Sequence, residues 1–188
     1  MRRYSGPAIA KNNAPYALMV FGGAFIIGQT LDWTFAGWLS ASIYCFYGIV
    51  STLIVAGFVC THCGFYGTRA CSSGYGLLSA LFRKRADRSR FARQFKTFIP
   101  MIAPLWFLPP VLAGLELYFR FDGWLLALVI LFSVNSFILL PLLANKENCE
   151  HCAQKHDCPW KSRRKSGAKK TDGNTMGETA PDGYSSDE

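Results

Sequence analysis

Histidine is missing from every long apolar stretch of this 188-residue chain, and acidic residues are almost missing too. Residues 16–31, 38–59, 98–119 and 124–144 contain none of the three histidines, and Glu116 is their one carboxylate. Without histidine, a haem held between membrane spans has no axial imidazole from this chain. So thin a supply of intramembrane polar groups also argues against a transport path, since such paths are marked by ionisable residues. Glu116 falls about one turn from the end of its block, where a carboxylate reaches the interface, and Gln29 and Asn135 suit hydrogen bonds between helices, worth about 0.6–2 kcal/mol each. A cleavable leader is not expected either. Arg2 and Arg3 open a polar, proline-containing stretch up to Pro15, with no compact apolar core ending in a small-residue site, so the first apolar block should be retained.

The four blocks themselves predict an all-α integral membrane protein. Three exceed the ~18 residues that a spanning helix needs, and the first, at 16, spans only if Asp32-Trp33-Thr34 lies at the interface or the bilayer thins locally. The expected organisation is a basic lead (1–15), a first transmembrane hairpin (16–59), a loop with an amphipathic helix (60–97), a second hairpin (98–144), a second loop (145–160) and a disordered polar tail (161–188). Basic residues orient it. The lead, the central loop and the carboxyl-terminal region carry 3, 8 and 8 of the 20 Lys and Arg, leaving only Arg120 on the opposite side. By the positive-inside rule both termini are then cytoplasmic, and Trp33, Trp38, Tyr118 and Trp124 form an aromatic belt at the outer turns.

The formal charge of +8 mostly reports this topology and an attraction to anionic lipid headgroups. No nucleic-acid partner is expected. Leu77, Leu78, Leu81 and Phe82 precede Arg83-Lys84-Arg85, and Phe91, Phe95 and Phe98 recur at helical spacing among Arg88, Arg90 and Arg93. That pattern predicts a helix at headgroup depth, with a partner-binding helix as the alternative. Within the blocks, Ala24 and Gly28 make a small-xxx-small spacing for close helix approach, while Pro100, Pro104, Pro109 and Pro110 predict an irregular third helix whose freed carbonyls need partners from its neighbours. Ser73-Gly74-Tyr75-Gly76 reads as a turn.

Chemistry concentrates in the cysteines. C-x-H-C occurs twice, as Cys60-Thr61-His62-Cys63 and Cys149-Glu150-His151-Cys152, each time after a pair of apolar blocks and each time trailed by a further cysteine, Cys71 or Cys158. Only Cys45 stands apart. Cytoplasmic thiols stay reduced, so such clusters are more often metal ligands or redox centres than disulfides. The expected ligands are Cys60, Cys63, Cys71, Cys149, Cys152 and Cys158, with His62, His151 and His156 as further candidates.

Three metal arrangements fit: each triad with a nearby histidine, the two C-x-H-C pairs sharing one four-cysteine site, or an iron-sulfur cluster on four of the six thiolates. Zinc is the first expectation, because Gly64 after Cys63 resembles the glycine of a zinc-knuckle turn. An iron-sulfur cluster is the alternative cofactor, disfavoured by the lack of an iterated C-x2-C-x2-C run, and a thiol redox pair is the third reading. No catalytic residues emerge. The resulting expectation is an accessory or anchoring subunit of a larger membrane complex or of a soluble cytoplasmic partner, rather than an enzyme; electron transfer and metal transport are the other function classes.

Overall fold

The computed structural model describes residues 3–144, and among these every element is helical. Seven α-helices follow in order: α1 (Gly6–Thr30), α2 (Phe35–Phe58), α3 (Tyr75–Phe82), α4 (Phe91–Phe98), α5 (Ala103–Phe119), α6 (Gly123–Ser133) and α7 (Leu140–Leu143). A 3₁₀ turn at Cys60–His62 prolongs α2, another at Ile99–Ile102 joins α4 to α5, and a π-helical stretch at Val134–Leu139 joins α6 to α7. Three continuous helical segments are long and apolar enough to cross a membrane: Phe35–His62, Arg88–Phe119 and Gly123–Leu143. Large apolar side chains such as Phe46, Phe107, Leu115 and Leu131 stand exposed on them, a surface suited to hydrocarbon.

α1 is the hub. Its residues Met19, Ala24, Ile26 and Ile27 are buried with Ala41 and Tyr44 of α2, Leu105 and Ala113 of α5, and Leu125 and Phe132 of α6. The helix is longer than the first apolar block implies, because extended Ser5 and a proline in the first turn start it at Gly6. Its 25 residues rise about 37 Å at ~1.5 Å each. The added turns carry Lys11, Asn12 and Asn13, and Asn13 already donates to the Ile9 carbonyl at 2.9 Å.

Close approach between α1 and its neighbours rests on glycine. A Cβ on Gly23 would meet Tyr44 Cζ at 2.7 Å, and one on Gly28 would meet Trp33 Cζ3 at 2.6 Å. Of the small pair Ala24 and Gly28, the glycine therefore seats a tryptophan of the connecting turn. That turn needs the space, since Asp32 and Trp33 both have φ of 50°, a conformation costly for non-glycine residues. Asp32 also faces Arg120 at 3.7 Å, which puts the 31–34 turn and the 120–122 turn at the same end of the bundle. The pair is exposed on both sides and adds little stability.

The proline-rich helix begins irregularly, as its composition predicts. Pro100 sits in the 3₁₀ turn, Pro104 in the first turn of α5, and Pro109 and Pro110 in its interior. Pro109 has no N–H, so the carbonyl four residues back, that of Leu105, loses its intrahelical donor. Tyr44 of α2 supplies the replacement, its hydroxyl donating to Leu105 O at 2.6 Å. Tyr47 donates to Met101 O in the same way. Asn135 makes the expected interhelical bond as well, its Nδ2 donating to Pro15 O of α1 at 3.0 Å.

The 60–97 segment departs from the expected single amphipathic helix. α3 stops at Arg83, whose backbone is extended, and Asp87 caps a new 3₁₀ turn at Arg88–Arg90 before α4 starts. The apolar face of α4 is covered by protein: Phe91 packs with Val55 of α2 and with Val59 just beyond its end, while Phe98 stacks on Phe58 with centroids 4.8 Å apart. Only the basic face of α4, with Arg93 and Lys96, stays exposed.

Candidate cysteine site

The first C-x-H-C motif sits where α2 runs out. Thr61 and His62 are buried in the 3₁₀ turn, and Cys63 leaves it with extended backbone. His62 Nδ1 lies 2.9 Å from Phe58 O and 3.1 Å from Thr61 Oγ1. A carbonyl can only accept, so Nδ1 carries the hydrogen and the ring is held back onto the last turn of α2. From Cys63 the chain turns twice. Tyr66 N donates to Cys63 O at 3.2 Å, Thr68 N to Phe65 O at 3.2 Å, and Gly67 N reaches across to Gly76 O at 2.9 Å. The left-handed glycines of this loop are Gly67 and Gly74, with φ of 70° and 73°.

Gly74 ends a Cys71–Gly74 turn and caps α3, so Ser73 and Gly74 lie in the expected turn while Tyr75 and Gly76 already belong to the helix. Directly behind it Gly76 lies under the loop. A Cβ there would fall on the Phe65 carbonyl oxygen and come within 3.4 Å of Cys71 Cβ.

Cys60 is near both Cys63 and Cys71, and the Tyr75 phenol is near Cys60 and Cys71. Cys63 packs against Val55, Val59 and Phe91, and His62 is turned back onto the end of α2. Among the described residues no three His, Cys, Asp or Glu side chains are placed to hold a metal ion. A self-contained site of the first triad plus His62 is therefore not formed. Cys149, Cys152, Cys158, His151 and His156, like the polar tail, lie outside the described residues.

Polar residues that the cysteine pattern does not single out hold this corner together. Tyr75 bonds Thr52, Thr52 Oγ1 donates to Tyr16 Oη at 2.9 Å, and Tyr16 donates to Gly48 O at 3.0 Å. Burial pushes the Tyr75 phenol upward, with Tyr16, Cys60 and Cys71 adding to the rise and the Thr52 bond opposing it, so the phenol is neutral at physiological pH. From α1, Asn12 and Asn13 donate to the carbonyls of Ser72 and Ser73 at 3.2 and 3.0 Å, and Tyr4 N donates to Arg69 O at 2.9 Å. The signal for these tethers was the Asn-Asn pair just ahead of an apolar block.

Asp87 anchors the other edge. Ser89 donates to it from Oγ at 2.6 Å and from N at 3.0 Å, which holds its carboxyl below the usual carboxylate range. A carboxyl held low in the folded state stabilises above its unfolded pKa of about 3.9, and that contribution is lost as pH falls through the folded value. Amide exchange in residues 86–90, corrected for intrinsic pH dependence, is expected to quicken below about pH 4. An unchanged corrected rate, or the same change in Asp87→Asn, would contradict this role.

The chain matches no protein-family model, no curated protein and no solved structure.

Proposed function

We propose that this chain is a four-span membrane protein with both ends on the cytoplasmic side, and that it serves as an accessory or anchoring subunit whose cysteine loops are fastened by a metal ion, zinc first. The observation that carries the reading is the gathering of Cys60, Cys63 and Cys71 at one corner, tied to α1 by Asn12 and Asn13 and to α2 by Tyr75. Thiolates are soft donors that select zinc or iron-sulfur clusters over hard cations. Because the first triad does not close a site by itself, Cys149, Cys152 and Cys158 would complete it. A shared site of that kind joins the two halves of the chain and explains why the motif recurs. α1 supplies the fourth span. It is surrounded by the three apolar segments, and the Asp32–Arg120 pair at the end opposite the cysteines supports two hairpins running in parallel.

Protein purified anaerobically in detergent is expected to contain zinc without acid-labile sulfide. Cys63→Ser and Cys152→Ser should each lower bound zinc by more than half and reduce thermal stability, since structural zinc contributes directly to folding. Full metal content and unchanged stability in both variants would end the reading. Iron with matching sulfide would replace it with electron transfer.

A further inference from the structure

Residues 81–90 combine two features that are seldom found together on a soluble surface. Leu81 and Phe82 are 81% and 61% exposed, and Arg83, Lys84, Arg85, Arg88 and Arg90 follow them, all exposed. The one acid of the segment, Asp87, accepts two hydrogen bonds from Ser89 and lies within electrostatic reach of Arg90 and His62, against five cations in the same ten residues.

The depth of this basic segment is fixed by contacts. The Arg83 guanidinium lies over the Phe58 ring, 4.2 Å from its centroid, and Phe58 is the last residue of α2. Arg88 opens the next apolar segment. The cations are thus pinned where two membrane-length helices end, which is headgroup level, with Leu81 and Phe82 beside them for the acyl boundary. The same segment is wired to the cysteine turn, since Ala86 N donates to Thr61 O at 3.0 Å and Tyr66 Oη donates to Arg83 O at 2.6 Å.

We propose that residues 81–90 form an anionic-phospholipid site, and that a lipid phosphate seated there clamps the C-x-H-C turn through the Ala86–Thr61 and Tyr66–Arg83 bonds. The coupling to metal rests on the reading above; the clamp does not. Lys84, Arg85, Arg88 and Arg90 supply the charge, while Arg83 is the positioning residue that ties charge to turn. An exposed cation at a charged membrane surface contributes about a fivefold gain in association. Lipid rather than a soluble acidic partner is indicated by the adjacent exposed apolar pair and the two helix ends.

The test is hydrogen exchange of residues 59–67 and 83–90 in chelator-treated full-length protein. Nanodiscs of phosphatidylcholine alone are compared with nanodiscs containing about one-third phosphatidylglycerol. Exchange in both segments should slow about tenfold with the anionic lipid, high salt should reverse the slowing, and Lys84→Gln/Arg85→Gln/Arg88→Gln/Arg90→Gln should abolish it. Equal exchange in the two lipids overturns the proposal, as does slowing that persists in the quadruple variant. Slowing reproduced by inorganic phosphate in pure phosphatidylcholine would assign the site to free phosphate and overturn the lipid clamp. Slowing only in 83–90 would overturn the coupling to the cysteine turn. Because the metal has been removed, these outcomes are independent of whether zinc is the native ligand; the salt titration needs no variant.

Discussion

Gly23→Ala is expected to destabilise the protein by about 2–4 kcal/mol, the sum of an overpacked contact and a lost hydrogen bond. Gly23 is the floor over which the Tyr44 side chain crosses from α2 to α5, and the new methyl would meet Cζ at 2.7 Å and Cε1 at 2.8 Å. The ring is buried and cannot swing outward without withdrawing its hydroxyl from Leu105 O. That carbonyl has lost its own donor to Pro109, and in an apolar surrounding it finds no water in exchange. Tyr44→Phe removes the hydroxyl alone and should cost about 0.6–2 kcal/mol. The two effects are coupled. Once Gly23→Ala has displaced the ring, Tyr44→Phe should cost almost nothing further. Detergent unfolding curves of the two single variants and the double variant measure this cycle, and additive costs would show that the hydroxyl and the glycine act separately.

The second large effect falls on Gly76→Ala. Here the obstacle is backbone, the Phe65 carbonyl, which has no rotamer to escape into. The strain must move either α3 or the 63–67 turn, and the Gly67–Gly76 hydrogen bond joins the two. A cost of about 1–3 kcal/mol is expected, with alkylation of Cys60 and Cys71 rising about tenfold as the corner opens. Gly114→Ala is the matched control. A Cβ there meets nothing within 4 Å, so the substitution should be neutral or stabilise slightly. Equal behaviour of the two variants, followed by peptide-mapped alkylation, would refute the packing role of Gly76.

Much of this arrangement is legible in the chain because it depends on composition over long windows. The second, third and fourth apolar blocks correspond to the three membrane-length segments, and the prolines at 100, 104, 109 and 110 announce an irregular helix with carbonyls to satisfy. The donor that satisfies Leu105 was not legible, since Tyr44 looks like any aromatic of an apolar block until α2 is set against α5. The phenylalanines of α4 misled for a related reason: periodicity shows that a face is apolar, but not whether lipid or Val55 and Val59 cover it. At the cysteines, spacing shows which residues share a turn and not how their side chains are disposed. It could not reveal that Cys63 packs against Val55, Val59 and Phe91 or that Cys60 lies near Tyr75, since both placements depend on neighbours brought in by the fold.

The π-helical stretch at Val134–Leu139 has a bearing on inheritance as well as shape. A π bulge in an α-helix behaves as one added residue, and each residue of an α-helix turns the chain by about 100°. Val134–Leu139 therefore absorbs one residue between Gly123–Ser133 and Leu140–Leu143. Loss of a single residue in this stretch would restore an ordinary helix and leave Leu140–Leu143 close to the faces they occupy now, because the bulge takes up the extra residue within its own turn. A one-residue deletion should consequently be easier to accept between 134 and 139 than within Gly123–Ser133, where it would turn Leu140–Leu143 by about 100° relative to the rest of the bundle.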